Sequence, residues 1–382
     1  MKLIGFMVNP IAGMGGSVGL KGTDGRLYYE ALKRGAKPVA PAKAMRFLSK
    51  LKELGVHIKI ISAAHVMGCD YLAKVNYPDF KCLDIPITRN TSSNDTKKVV
   101  KEFLRYGVDM ITFVGGDGTA KDIYDVVNGS IPLLGIPSGV KMYSGCFAAS
   151  PEAAAYIIKN LLEGIGSIDL GEVADADEEL IQRGIPKVRI YGYVLTPKLE
   201  YLMVPSKDFG ASGGSEEKYE VAKYFIEEYM VRDTLYLLGP GTTIKAVADI
   251  LGLSKTLLGV DAVYNGRLVG IDLSETDILK LINMYGKAYI VLTVIGRQGY
   301  ILGRGNQQFT PRVIRRLGGK KAIYVLATRS KIRGLRYLLI DTGDPELDVS
   351  MYGYWRIITG FREERLIKVL PACCLDKFLP LK

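Results

Sequence analysis

The feature that most constrains this chain is a strand-turn-helix unit with an acid in its turn. The apolar run 110–114 leads into Gly115-Gly116-Asp117-Gly118-Thr119, and a helical stretch follows over 120–127. Such a βα unit belongs to an open parallel sheet covered by helices. Glycines there let the backbone approach an anion, and the next helix offers unpaired N–H groups and a positive dipole end to phosphate oxygens. Asp117 should repel phosphate, so it needs a reason. It binds a hydroxyl that attacks phosphorus, holds a metal, or caps the helix; the residues alone leave all three open.

The same grammar organises the first ~150 residues. Strands are expected at 3–8, 57–62, 110–114 and 132–136, and helices at 41–54, 91–106, 120–128 and 151–163, the second opening on the cap-rich Asn90-Thr-Ser-Ser-Asn-Asp95. From about 167 the texture becomes strand-like runs with short turns, which predicts an antiparallel β part, followed by a helix over 216–230. The strand, glycine turn and helix pattern then returns at 234–238, Gly239-Pro-Gly-Thr-Thr243 and 244–251. Later alternation predicts elements at 256–264, 276–284, 288–294, 311–317 and 322–327, with closing strands at 355–359 and 364–370. The expected organisation is an α/β phosphate-binding domain over 1–165 and a β-rich to mixed α/β second domain over 166–345. C-terminal strands over 346–382 return to an earlier sheet.

Composition narrows the chemistry. A net charge of +11 fits an anionic partner, but no RNA-binding aromatic signature or helix-turn-helix accompanies the basic stretch 312–321, so nucleic acid is not expected. His57 and His65 are the two histidines, which turns the search towards carboxylates, lysines and backbone dipoles. The five cysteines form no C-x-x-C pair, so reduced thiols, a cytoplasmic location and no membrane segment are expected. A Walker loop and a G-x-G-x-x-G turn are both absent. Ser17 and Ser212 fall in G-x-S-x-G matches, but neither sits at a strand-to-helix elbow.

Two further loops follow expected strands. Asn9-Pro10-Ile-Ala-Gly13 is either a phosphate contact or an ordinary crossover, and Gly135-Ile-Pro-Ser-Gly-Val-Lys-Met-Tyr-Ser144 offers Ser138, Lys141 and Ser144. The Asp341–348 stretch is either a magnesium site or a solvated turn.

Together these residues become familiar. The GGDGT turn with an Asn-Pro-x-x-Gly loop resembles the superfamily of NAD kinases, diacylglycerol and sphingosine kinases, and phosphofructokinases. The loop at 135–144, Glu172-Val-Ala-Asp-Ala-Asp-Glu-Glu179, Gly239-Pro-Gly-Thr-Thr243, Gly303-Arg-Gly-Asn-Gln307 and 341–348 look like the prokaryotic ATP-NAD kinase branch related to the acetoin-catabolism protein X family.

That resemblance implies an N-terminal open parallel-sheet domain of the NAD kinase and diacylglycerol kinase type. It implies transfer of the γ-phosphoryl group of ATP, or of polyphosphate, to the 2′-hydroxyl of the adenosine ribose of NAD, with Mg2+ carried by ATP, in a homo-oligomer. Asp117 would accept the hydroxyl proton. Asn9, Gly13, Gly115, Gly116, Gly118 and Thr119 would hold phosphate, and Ser138, Lys141, Ser144, Gly241, Thr242, Gly303, Arg304 and Asn306 would contact substrate. Two departures stand out: the region corresponding to the dinucleotide-holding Asn-Glu or Asn-Asp pair gives no clear equivalent, and 234–345 reads as α/β where better-known NAD kinases are all-β. The alternatives are a kinase for a lipid or small diol, and a nucleotide sensor without turnover.

Overall fold

Apolar runs too short for helices become the buried strands of two sheets, one in each of two compact units. The first unit is Met1–Met14 with Gly22–Ser206, and the second is Gly15–Lys21 with Lys207–Lys382. The computed structural model describes residues 3–15, 26–87, 91–139, 142–176, 188–199, 202–203, 215–295 and 299–378.

The first unit runs β1 (Leu3–Val8), α1 (Arg26–Lys33), α2 (Ala40–Glu53), β2 (Lys59–Ser62), α3 (Cys69–Lys74), β3 (Phe80–Cys82) and α4 (Ser93–Arg105). It continues with β4 (Met110–Gly115), α5 (Asp117–Val127), β5 (Leu133–Pro137), α6 (Pro151–Leu162), β6 (Ser167–Ala176) and β7 (Val188–Lys198). Five strands form a parallel sheet in the order β3-β2-β1-β4-β5. Every residue of β4 and β5 is buried, as a strand covered on both faces requires, which is why these runs are apolar at all positions but Thr112. The predicted cap at the head of α4 is a capping box between Ser92 and Asp95. From β1 the chain winds outward to β2 and β3, and from β4 it winds the other way to β5. The winding therefore reverses between β1 and β4, and crevices at such reversals, beyond the carboxyl ends of the strands, are where open α/β sheets bind ligands.

The expected antiparallel part is the ribbon β6–β7, tied to the sheet where Thr196 Oγ1 donates to Leu133 O at 2.9 Å. The expectation of reduced thiols is overturned at two positions, because Cys69 and Cys82 form a disulfide. Pairing of β2 with β3 sets Cys82 beside Ser62, and the Cys69 sulfur lies 3.9 Å from the Ser62 carbonyl oxygen, so two residues 13 apart meet on one strand end. Sequence spacing carries no sign of that meeting.

The second unit runs α7 (Ser215–Tyr229), β8 (Leu235–Leu238), α8 (Thr242–Ile250), β9 (Asp261–Tyr264), β10 (Arg267–Gly270), α9 (Glu275–Tyr285), β11 (Ala288–Thr293) and β12 (Tyr300–Leu302). Then come α10 (Pro311–Leu317), β13 (Ile323–Leu326), α11 (Arg329–Ile332), β14 (Tyr337–Ile340), α12 (Pro345–Ser350), β15 (Gly353–Gly360) and β16 (Glu363–Pro371). Nine strands form one mixed sheet in the order β10-β9-β8-β11-β13-β15-β16-β14-β12. Neighbours β8, β11, β13 and β15 are parallel, and the final hairpin β15–β16 lies within this sheet. The element expected at 256–264 is the strand β9 in its second half only, because a buried turn occupies its first half. There Asp261 accepts from Thr256 N at 2.7 Å and pairs with Lys255 at 3.6 Å, both side chains fully enclosed. Among the described residues no helix is long and apolar enough to cross a membrane.

Candidate active site

Asp117 opens α5 directly after Gly116, at the carboxyl end of β4 and beside the winding reversal. Its side chain is 6% exposed. One carboxylate oxygen accepts from Tyr143 N at 2.7 Å; the other accepts from Ser144 N at 2.9 Å and Ser144 Oγ at 2.7 Å. A carboxylate has roughly four acceptor positions, so one remains for a further donor. Burial pushes the Asp117 carboxyl up to about 7; the bonds from Ser144 and Tyr143 oppose that rise, and the nearby Asp175 adds to it. Ser144 Oγ also accepts from Ala174 N at 3.1 Å, which fastens the clamp on Asp117 to β6. The Cys146 thiol is held protonated by burial and by the Asp117 charge.

Asn9 bridges the two strands at the reversal. Its backbone N donates to Val114 O at 2.9 Å, its Oδ1 accepts from Ile11 N at 3.3 Å, and its Nδ2 donates to Thr119 Oγ1 at 3.0 Å. A side chain at Gly115 would meet Thr119 at 2.7 Å, so the first glycine makes room for that bond. Gly13, at φ +81, packs so closely that a Cβ would sit 1.8 Å from Ser138 O. Ser138 N in turn donates to Gly115 O at 3.0 Å, while its enclosed hydroxyl has no partner. Around Gly116 and Gly118 there is open space, and no side chain caps α5. The result is a helix start without a side-chain cap, with two glycines that border open space, beside a buried, unusually basic carboxylate.

Of the expected residues in this unit, Asn9, Gly13, Gly115, Gly116, Asp117, Gly118, Thr119, Ser138 and Ser144 are joined by these contacts or share this turn. Lys141 lies outside the described residues. The Tyr143 amide and Asp175 had not been singled out. Asp175 lies inside the run 172–179 that carries the family resemblance, but no spacing rule places it near Asp117.

In the second unit, Gly241 and Thr242 head α8, whereas Gly303, Arg304 and Asn306 form the turn after β12. That turn fastens itself: Asn306 accepts from Gly303 N at 3.0 Å and donates to Ile301 O at 2.8 Å. The Arg304 guanidinium lies 4.2 Å from the centre of the Tyr300 ring. Along 341–348, Asp344 caps α12 by accepting from Leu347 N at 3.0 Å, and Asp348 accepts from Thr342 N at 3.0 Å. Among the described residues no three acids, histidines or cysteines cluster as metal ligands.

Residues 4–165 match the description of the ATP-NAD kinase N-terminal domain, and residues 232–369 that of the ATP-NAD kinase C-terminal domain. No curated protein gives a significant match. Among solved structures the chain is similar to the UDP-GlcNAc 2-epimerase of Methanocaldococcus jannaschii in complex with UDP-GlcNAc and UDP. The identity is 13%, over 91% of this chain and 80% of that one, with a TM-score of 0.25. The UDP-GlcNAc 2-epimerase of Neisseria meningitidis bound to UDP-GlcNAc shows 11% identity over 90% and 78%, with a TM-score of 0.24. A likeness that faint carries no argument.

Proposed function

Since the chain belongs to the ATP-NAD kinase family, we propose that it transfers the γ-phosphoryl group of ATP to the 2′-hydroxyl of the adenosine ribose of NAD, giving NADP and ADP. The observation that carries this reading is Asp117, a carboxylate raised to about 7 at the head of a helix that no side chain caps and whose Gly116 and Gly118 border open space. The amides of α5 and the Thr119 hydroxyl hold donor phosphate oxygens. The remaining acceptor position on Asp117 receives the ribose O–H. As that oxygen bonds to phosphorus, the bond from phosphorus to the ADP oxygen breaks and the hydroxyl proton passes to Asp117. Phosphoryl transfer depends chiefly on positioning, so a base of this strength suffices.

Magnesium enters with the donor. Asp117 has Asp175 as an acidic neighbour, and among the described residues no third ligand completes a protein cage, which suits an ion held mostly by phosphate oxygens and water. On this reading the enzyme is a cytoplasmic homo-oligomer with ATP and NAD as its partners.

The test is purified protein with ATP or polyphosphate, magnesium and an acceptor panel of NAD, NADH, a diacylglycerol and small diols. NADP as the preferred product supports the proposal. Preferred phosphorylation of a lipid or diol, or turnover of no acceptor even at elevated temperature, overturns it.

A further inference from the structure

The second unit repeats the strand, glycine and helix arrangement at β8 and α8. Gly241 (φ +113) stands at the N-cap, and among the described residues no side chain caps the first-turn amides of α8. A Cβ at Gly241 would lie 2.9 Å from Thr293 Cγ2, which sets the last residue of β11 against this helix start. Thr293 Oγ1 accepts from Lys331 Nζ at 2.9 Å. Lys331 follows β13, and because β8, β11 and β13 are parallel neighbours, all three segments leave the sheet at one edge.

Two features here have no explanation in packing. Lys331 is half-buried as a residue, yet its ammonium is desolvated, with Lys218 as a like charge nearby. Among the described residues it makes no ion pair, while the neighbouring Glu217 accepts from Ser330 Oγ at 2.9 Å. Burial and Lys218 together push the Lys331 amine down to about 7. Thr243, fully enclosed in the first turn of α8, has a hydroxyl without a partner among the described residues. Helical Cα–Cβ bonds tilt towards the N-terminus, so that hydroxyl leans towards the free amides. The Lys331 ammonium, bonded to a neutral hydroxyl, thus gathers with the Thr243 hydroxyl and the first-turn amides where, among the described residues, no carboxylate pairs with them, an arrangement completed by an anion.

We infer that the second unit binds a phosphate-bearing ligand at the head of α8, with Lys331, Thr243 and the first-turn amides as its donors. The phosphate is that of a nucleotide pyrophosphate or of free inorganic pyrophosphate. This site stands apart from the reading of Asp117, and NADP formation, measured separately, reports on that reading alone.

Pyridoxal 5′-phosphate, reduced onto amines with borohydride and mapped by peptide mass spectrometry on the full chain, tests the site. Lys331 should be labelled at least about tenfold faster than by unphosphorylated pyridoxal, since one charge-assisted contact to phosphate is worth that factor or more. Thr243→Val should bring the two rates together. Protection by both NAD and inorganic pyrophosphate identifies the nucleotide pyrophosphate as ligand; protection by inorganic pyrophosphate alone identifies the free anion. Equal labelling by the two aldehydes, or protection by neither ligand, overturns the inference.

Discussion

Replacing Asp117 by Asn should stabilise the first unit in a pH-dependent way while abolishing its chemistry. Folding raises the Asp117 carboxyl from 3.8 to about 7, mainly by burial. The folded state therefore binds this proton more tightly than the unfolded chain does. Wild-type stability falls as pH rises from about 4 to about 7, and above that window the ionised carboxylate costs about 4 kcal/mol, at about 1.36 kcal/mol for each of some three units. Asparagine does not titrate. Its amide must face the Tyr143 N–H or the Ser144 donors, a pH-independent loss of about 1–3 kcal/mol. The difference between variant and wild type should thus grow by about 4 kcal/mol between pH 4 and pH 8, ending about 1–3 kcal/mol in favour of Asn. Native-state hydrogen exchange of the β4 amides reads the first unit. Trp355, the one tryptophan, lies in the second unit, and its fluorescence is a control that should not move. Parallel pH profiles for the two proteins would refute the reasoning.

Other perturbations separate the parts of the site. Ser144→Ala removes the 2.7 Å hydroxyl donor that favours ionised Asp117, so the acid limb of kcat/KM should move to higher pH; an unmoved limb contradicts the clamp. Gly13→Ala drives a Cβ to within 1.8 Å of Ser138 O at φ +81, and ATP affinity measured by calorimetry should fall at least about tenfold as the Asn9 loop is displaced. Gly118→Ala, with nothing near its would-be Cβ, should keep the thermal midpoint of the wild type. Cys69→Ser opens a bridge across 13 residues and should lower the stability of the first unit by about 3 kcal/mol, read by denaturation with and without reductant. If neither the variant nor reductant changes stability, Cys69 and Cys82 are not paired in solution.

Much of this architecture was legible because its signals are local. Strand β1 matches the expected 3–8, and β4 extends the expected 110–114 by one residue. Both are predominantly apolar strands, buried along nearly their whole length, and β4 closes on a glycine turn. Asp117, Asn9 and Thr119 were legible as motif members, and their meeting follows from β1 lying against β4. Long-range pairing was not legible. The Tyr143 and Ser144 amides reach Asp117 from 26 and 27 residues away, and Asp175 arrives on a ribbon that no periodicity places over the site. The same blindness hid the Cys69–Cys82 bridge and the buried Lys255–Asp261 turn that shortens β9. In Gly303-Arg-Gly-Asn-Gln307 the polar residues suggested ligand contacts, and no periodicity showed that Asn306 also bonds Gly303 N and the Ile301 carbonyl of β12.

The central claim is that Asp117 meets the adenosine 2′-hydroxyl of NAD while phosphate passes to it. The most direct measurement is a single-turnover transfer from ATP labelled at the γ-phosphate to NAD, by wild type and Asp117→Asn, with the labelled position fixed by NMR. The account predicts label on the 2′-oxygen with wild type and a rate lower by about 10²–10⁴ in the variant. Equal rates in the two proteins, or label at another oxygen, would contradict it.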